Sequence, residues 1–241
     1  MGRLPWNPDN VMMLTGLLWS VTGFALYFFI SKNSRLTNRL STLFPLLPPE
    51  VIRVTLQRFW GVLFLGIIPL LIVLFGFRSS PGTFGLSFNY LQPPPVWSYA
   101  LVPVIIFVAY IIASRPSNLE LYPQIRATTW TWGILWINSI GWIAFLVAYE
   151  FLFRGFIFFT SLAVLDPVIA IGVNVVLYAL AHFYKGPSEL LGSIPIGVLF
   201  CYLTLKTGNI WSAVAIHSMM AISHEWFSLK AHPQMKLIKR R

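Results

Sequence analysis

Charge is scarce in this chain of 241 residues: Asp, Glu, Lys and Arg together make up 10% of it, where a soluble domain carries about 25%. So little charge cannot clothe a water-facing surface of this size. Acidic groups are scarcest, 7 against 17 Lys and Arg. A single cysteine, Cys201, excludes an internal disulfide and with it a disulfide scaffold; its apolar flanks mark it as buried. The 57% hydrophobic content excludes disorder, and the glycines follow no collagen period. The start, Met1 to Trp6, lacks the features of a cleaved leader, because the apolar run behind it is too long and no small-residue cleavage site follows. Trp6 stands where a myristoylation signal needs Ser or Thr, and the end carries no prenylation box. The expectation is a chain that spans a membrane rather than one anchored to it by lipid.

What is present is long apolar runs. Mean hydropathy is +0.73, and a membrane span takes about 20 residues. The runs predict an all-α, polytopic transmembrane bundle of about seven spans, near 11–30, 59–77, 96–114, 130–159, 167–184, 188–205 and 210–228. Between the first two lies a basic stretch, 31–58, with Lys32, Arg35, Arg39, Arg53 and Arg58. Leu36, Leu40, Leu43 and Leu47 recur there at helical spacing, which predicts an amphipathic helix in the interface, ended by Pro45, Pro48 and Pro49. The chain divides on this reading into N-terminal spans (1–128), a core of spans (129–229) and a basic tail (230–241).

The net charge of +10 would point to nucleic acid in a soluble protein. In a membrane protein it sets topology and meets anionic lipid, so lipid and not nucleic acid is the expected partner. With seven spans, one set of alternate loops holds 13 Lys and Arg and the other holds 3. This asymmetry places the C-terminus in the cytoplasm and the N-terminus outside, in a plasma membrane and on our reading a bacterial inner membrane. Trp60, Trp97, Trp130, Trp132, Trp211 and Trp226 fall at expected span ends, as an aromatic belt does.

A charge at membrane depth costs about 2.5–3.5 kcal/mol even on the lenient insertion scales, so such residues are functional candidates. Here they are Glu150, Arg154, His182, Glu189, His217, His224 and Glu225. Glu150 and Arg154, four apart, share a helix face. Asn174, Tyr178 and His182 follow one another in steps of four and form a polar stripe. His224 returns close to the face of His217, with Ala221 between them. Glu150, His182 and His217 on three spans admit two chemistries. One is metal-free activation of water by a carboxylate with histidine as proton partner. The other is a His/His/Glu zinc site. No cofactor is expected on the first reading; zinc belongs to the second.

These segments resemble the membrane-embedded CAAX protease and bacteriocin-processing family, which includes the type II CAAX prenyl endopeptidases. The family's Glu-Glu-x-x-x-Arg helix looks like Tyr149-Glu150 through Arg154, followed by Gly155-Phe156. Its Phe-x-x-x-His helix looks like Tyr178 through His182, and its His-x-x-x-Asn helix like His217 through Ala221. The turn Lys206-Thr207-Gly208-Asn209-Ile210-Trp211 is similar to the family's Arg-Thr-Gly-Ser-Leu-Trp. Two positions depart from the pattern, Tyr149 for the first Glu and Ala221 for the Asn. The resemblance implies an intramembrane endopeptidase acting on a membrane-associated peptide or protein. Glu150 and His182 would activate water, His217 would stabilise the oxyanion, and Arg154 would orient Glu150. Tyr149, Tyr178, Asn174 and His224 would support the pocket. The departures motivate an alternative, a catalytically impaired relative that binds a membrane protein partner.

Overall fold

Proline sets where many of the helices begin: its missing N–H costs nothing in a first turn, and its fixed φ suits one. Pro8, Pro49, Pro167 and Pro187 each open a helix. A computed structural model describes residues 7–238. Within them the longer helices are α1 (Pro8–Ser31), α2 (Ser34–Ser41), α3 (Pro49–Gly76), α4 (Val96–Ile112), α5 (Trp132–Leu162), α6 (Pro167–His182), α7 (Pro187–Thr207) and α8 (Trp211–Ala231), with a single helical turn at Pro116–Leu119. Two three-residue strands, β1 (Thr129–Thr131) and β2 (Lys236–Ile238), pair in parallel with Trp130 opposite Leu237. Apart from that pair the fold is all-α, as expected. The basic residues Arg3, Lys239, Arg240 and Arg241 lie outside the described residues.

Among the described residues four helices, α1, α3, α5 and α7, are long and apolar enough to cross a membrane. The backbone groups of a helix are satisfied internally, which is what a bilayer core demands. α4 and α6 are apolar but shorter, 17 and 16 residues. α8 has the length but carries His217, His224, Glu225 and Lys230, and is not among the four. The lipid-facing character is visible in exposed apolar side chains: Leu18, Val21 and Phe29 on α1, Phe75 on α3, and Val168, Val176 and Leu180 on α6.

The basic stretch differs from the sequence expectation. Its helix α2 covers only Ser34–Ser41, capped by Asn33 Oδ1 accepting from the Leu36 amide at 3.0 Å. The second long helix then starts at Pro49, well ahead of residue 59. Arg58 is therefore a buried helix residue rather than an interfacial one. The reason is a buried partner, described below.

The chain forms two compact units. One comprises Met1–Tyr27, Leu63–Pro94 and Ala148–Ala213, the other Phe28–Val62, Pro95–Val147 and Val214–Arg241. In the first, small residues let helices approach closely, the usual device in membranes. A Cβ on Gly16 of α1 would stand 2.7 Å from Thr160 Oγ1 on α5, and one on Gly66 of α3 would stand 2.7 Å from Ala148 Cβ. Phe77 stacks on Phe156 with ring centroids 5.7 Å apart. The turn from α7 to α8 is locked to the loop after α3. Gly208 takes φ +71°, Leu91 donates its amide to Thr207 O at 2.9 Å, and the Trp211 indole donates to Ser87 O at 3.0 Å. Asn209 Oδ1 accepts from the Trp211 amide at 3.1 Å and so starts α8. The second unit is built on a core of Val51, Val54, Ile125, Trp130, Ile134 and Leu229, with a second cluster of Trp142, Leu146 and Ala221.

Candidate active site

Helix α5 changes its winding where the motif lies. It is α-helical to Glu150, becomes a π-helix over Phe151–Ile157, and returns to α from Phe158. A π turn bonds i to i+5 and is frequent at functional sites; two further π segments, Val62–Ile67 and Ile72–Gly76, lie within α3. Every residue of this stretch is buried. Two side chains tie down its widened backbone. Asn174 of α6 donates Nδ2–H to Phe153 O at 2.6 Å, and Thr160 Oγ1 bonds Phe156 O at 2.8 Å. Asn174 Oδ1 in turn accepts from the Cys201 thiol of α7 at 3.1 Å. Gly155 fits because a Cβ there would meet Phe84 O at 2.7 Å and Phe151 Cδ2 at 2.6 Å.

Glu150 precedes this turn and Arg154 lies in its middle, both with no exposed surface, and Arg154 Nη1 lies 3.1 Å from Glu150 Oε2. The pair carries no net charge, the condition on which apolar surroundings tolerate ions. The guanidinium carbon lies 4.0 Å from the centre of the Tyr178 ring, 5.2 Å from Phe200 and 5.8 Å from Phe153. An arginine stacked on rings with its carboxylate alongside holds one geometry. Gly197 of α7 gives these groups room, for a Cβ there would stand 3.2 Å from Tyr178 Cδ1.

His182 ends α6. Its Nδ1 lies 2.9 Å from the carbonyl oxygen of Tyr178. A carbonyl only accepts, so Nδ1 carries a proton, and in the neutral ring the lone pair sits on Nε2. The Tyr149 hydroxyl stands 3.5 Å from the same Nδ1. The Tyr178 and His182 rings are 4.6 Å apart and those of Tyr149 and Tyr178 are 5.8 Å apart. The first unit thus gathers Tyr149, Glu150, Arg154, Asn174, Tyr178 and His182 around one π turn. Among them are a carboxylate, a cation and an imidazole of defined tautomer.

His217 and His224 belong to the second unit. His217 is buried on α8, and Ala221, one turn on, packs against Trp142 and Leu146. His224 has a structural setting. Asn118 spends Nδ2 on Ala113 O at 3.0 Å and Ser228 Oγ at 2.7 Å, and offers Oδ1 to His224 Nδ1 at 3.2 Å. The His224 ring stacks on Tyr122 with centroids 5.2 Å apart. Among the described residues no group of three or more His, Cys, Asp or Glu side chains is placed to hold a metal ion.

One polar constellation is not visible in the sequence. Glu225 of α8, 1% exposed, is the centre of a buried network in the second unit. Its Oε1 accepts from the Gln124 amide at 3.1 Å and the Trp142 indole at 3.1 Å, and its Oε2 accepts from Asn138 Nδ2 at 3.1 Å. Arg58 Nη2 lies 3.9 Å from Oε1, while Nη1 donates to Asn138 O at 2.7 Å. The guanidinium carbon sits 4.5 Å from the centre of the Trp142 ring. The signal in the sequence is Glu225 itself, a carboxylate at membrane depth; its partner Arg58 lies too far back along the chain for spacing to reveal.

Comparison with known proteins bears on the first constellation. No curated protein and no solved structure matches the chain. Residues 131–223 match the family model for type II CAAX prenyl endopeptidase Rce1-like proteins. That stretch holds Glu150, Arg154, Asn174, Tyr178, His182 and His217 and stops short of His224 and Glu225. The resemblance read from the motifs is therefore matched over this region, which is similar to the Rce1-like family.

Proposed function

We propose that the chain is a CAAX-type intramembrane endopeptidase, which hydrolyses a peptide bond of a membrane-associated protein or peptide with water activated by Glu150 and His182. The observation that carries this reading is the cluster around the π turn. There a buried Glu150–Arg154 pair and a histidine with Nδ1 held by a carbonyl meet on the same tyrosine, Tyr178. The Rce1-like match over the same residues supports it.

In the reaction the water oxygen attacks the scissile carbonyl carbon as its proton passes to a base. The C–N bond then breaks, and the amine leaves with a proton returned to it. Glu150 takes the first proton, with Arg154 keeping its carboxylate in place. His182, whose Nε2 lone pair is set by the bond at Nδ1, receives and returns a proton. The resemblance assigns His217 the oxyanion, a role in which loss of one donor costs about 10²–10³ in rate. Tyr149 and Tyr178 line the site and Asn174 holds the π turn. The mechanism needs no metal. The reading also takes α1 and α3 to α8 as seven spans, with the N-terminus outside and the C-terminus in the cytoplasm of a bacterial plasma membrane. Lys32, Arg35 and Arg39 then lie against anionic lipid.

The test compares peptide termini across the host membrane proteome for wild type, Glu150→Gln and His182→Ala at matched expression. The expected result is one set of new termini that vanishes in both variants and names the substrate. Coincident profiles in all three, with a deletion phenotype still present, would sink the enzyme reading and leave a family fold kept for binding a membrane partner.

A further inference from the structure

Apart from the candidate active site, the second unit holds a cleft of about 430 Å³. Its apolar walls are Trp132 and Leu135 from the start of α5 and Trp226 and Leu229 from the end of α8. Its base is the short segment that enters β2, pinned by the Lys236 amide donating to Thr128 O at 3.0 Å and by the pairing of β2 with β1. Trp226 is fixed in the wall by its indole N–H, which donates to Ser139 Oγ at 3.0 Å. Among the described residues the charged groups lining the cleft are Lys230 and Lys236, both exposed and both cationic. An apolar trough with ammonium groups and no carboxylate has the chemistry of one ligand class, an amphiphile with an anionic head. Tryptophans mark the depth: indoles prefer the level of lipid headgroups, and lysine stems lie along apolar surface while their charges reach the phosphates.

We propose that this cleft is a binding site for an anionic glycerophospholipid. An acyl chain lies along Trp132, Leu135, Trp226 and Leu229, and the phosphate is held by Lys230 and Lys236. The site tethers β2 and the end of α8 to the membrane surface. It is separate from the residues assigned to catalysis, so it stands or falls independently of the protease reading.

The test is native mass spectrometry of the full-length protein in a mild detergent supplemented with phosphatidylglycerol or, separately, phosphatidylcholine. The proteins compared are wild type, Lys230→Gln/Lys236→Gln, and as a control Arg115→Gln/Lys206→Gln, two exposed cations that do not line the cleft. Both lysines are exposed, so the double variant keeps the fold, which its melting curve in detergent verifies. The expected result is one retained phosphatidylglycerol on wild type and on the control. Retention drops at least tenfold in the double lysine variant, and phosphatidylcholine is not retained. Equal retention of the two lipids, unchanged retention in the lysine variant, or occupancy of the cleft by a second copy seen as a lipid-free dimer would each overturn the assignment.

Discussion

The carbonyl oxygen of Tyr178 accepts the Nδ1–H of His182 at 2.9 Å, while the ring of the same tyrosine lies 4.0 Å from the guanidinium carbon of Arg154. One residue of α6 thus sets the tautomer of the imidazole and braces the cation that neutralises Glu150. The consequence for the histidine is measurable. In ¹⁵N spectra of selectively labelled protein at a pH where the ring is neutral, His182 is expected as the Nδ1–H tautomer. Tyr178→Phe keeps both the carbonyl and the ring, so the tautomer is expected to persist in it. An Nε2–H signal in wild type would contradict the geometry.

The Glu150–Arg154 pair makes an asymmetric prediction. Arg154 retains contact with three aromatic rings when Glu150 becomes Gln, which removes the charge and keeps the volume. Arg154→Met instead leaves a buried carboxylate without the cation set against it, a change that costs about 3–5 kcal/mol. Chemical denaturation in detergent should therefore rank wild type first, Glu150→Gln second and Arg154→Met last. A reversed order of the two variants would show that the rings, not the ion pair, hold the arginine.

In the sequence Asn174 is one step of a polar stripe; the structure gives it a task, holding Phe153 O of the π turn from a neighbouring helix at 2.6 Å. Asn174→Leu removes that donor and leaves Phe153 O with the Phe158 amide alone, a loss of about 0.5–1.5 kcal/mol for one hydrogen bond. It also takes the acceptor from the Cys201 thiol. Thermal unfolding in detergent is expected to fall accordingly. Cleavage of the natural substrate, once identified, should fall further than stability does, because the turn carries Arg154 and directly follows Glu150.

Gly155 tests the same turn from the other side. A methyl group there meets a backbone oxygen, Phe84 O, at 2.7 Å, and a backbone cannot swing aside as a flexible side chain can. Gly155→Ala is expected to cost about 1–3 kcal/mol through overpacking, read as a lower melting temperature. Gly172 is the control: nothing lies within 4 Å of the place its methyl group would take, so it should tolerate alanine.

Much of the site is legible in the sequence because charge is expensive in a membrane. Glu150, Arg154 and His182 stand out against apolar flanks, and the structure gathers them with Tyr149, Asn174 and Tyr178 in one unit. The helices also fall near the expected spans. The π turn is not legible, since i to i+5 bonding leaves no mark in composition, and it is what places Glu150 and Arg154. The start of α3 is hidden for a related reason. Arg53 and Arg58 read as residues outside the membrane, and nothing near them in sequence announces that Glu225 neutralises Arg58 inside the protein. Local spacing reveals pairs on one helix; it does not reveal pairs brought together by the fold.

That hidden network gives the sharpest stability prediction. Glu225 accepts from the Gln124 amide, Asn138 Nδ2 and the Trp142 indole, and stands against Arg58. Its two oxygens are the acceptors for three donors, so a side chain of similar size without acceptors strands them and leaves the buried Arg58 guanidinium with neutral acceptors only. Glu225→Leu is expected to lose about 3–5 kcal/mol, the scale for breaking a buried pair. Glu225→Gln keeps one oxygen and turns an amide N–H toward donors, which should place it between wild type and leucine. Pairing Glu225→Leu with Arg58→Met removes both charges together and should recover part of the loss, whereas two independent contributions would simply add. A double-mutant cycle by denaturation in detergent decides this. Strict additivity would mean that the 3.9 Å separation of Arg58 from Glu225 carries no energy and that the hydrogen bonds alone hold the network.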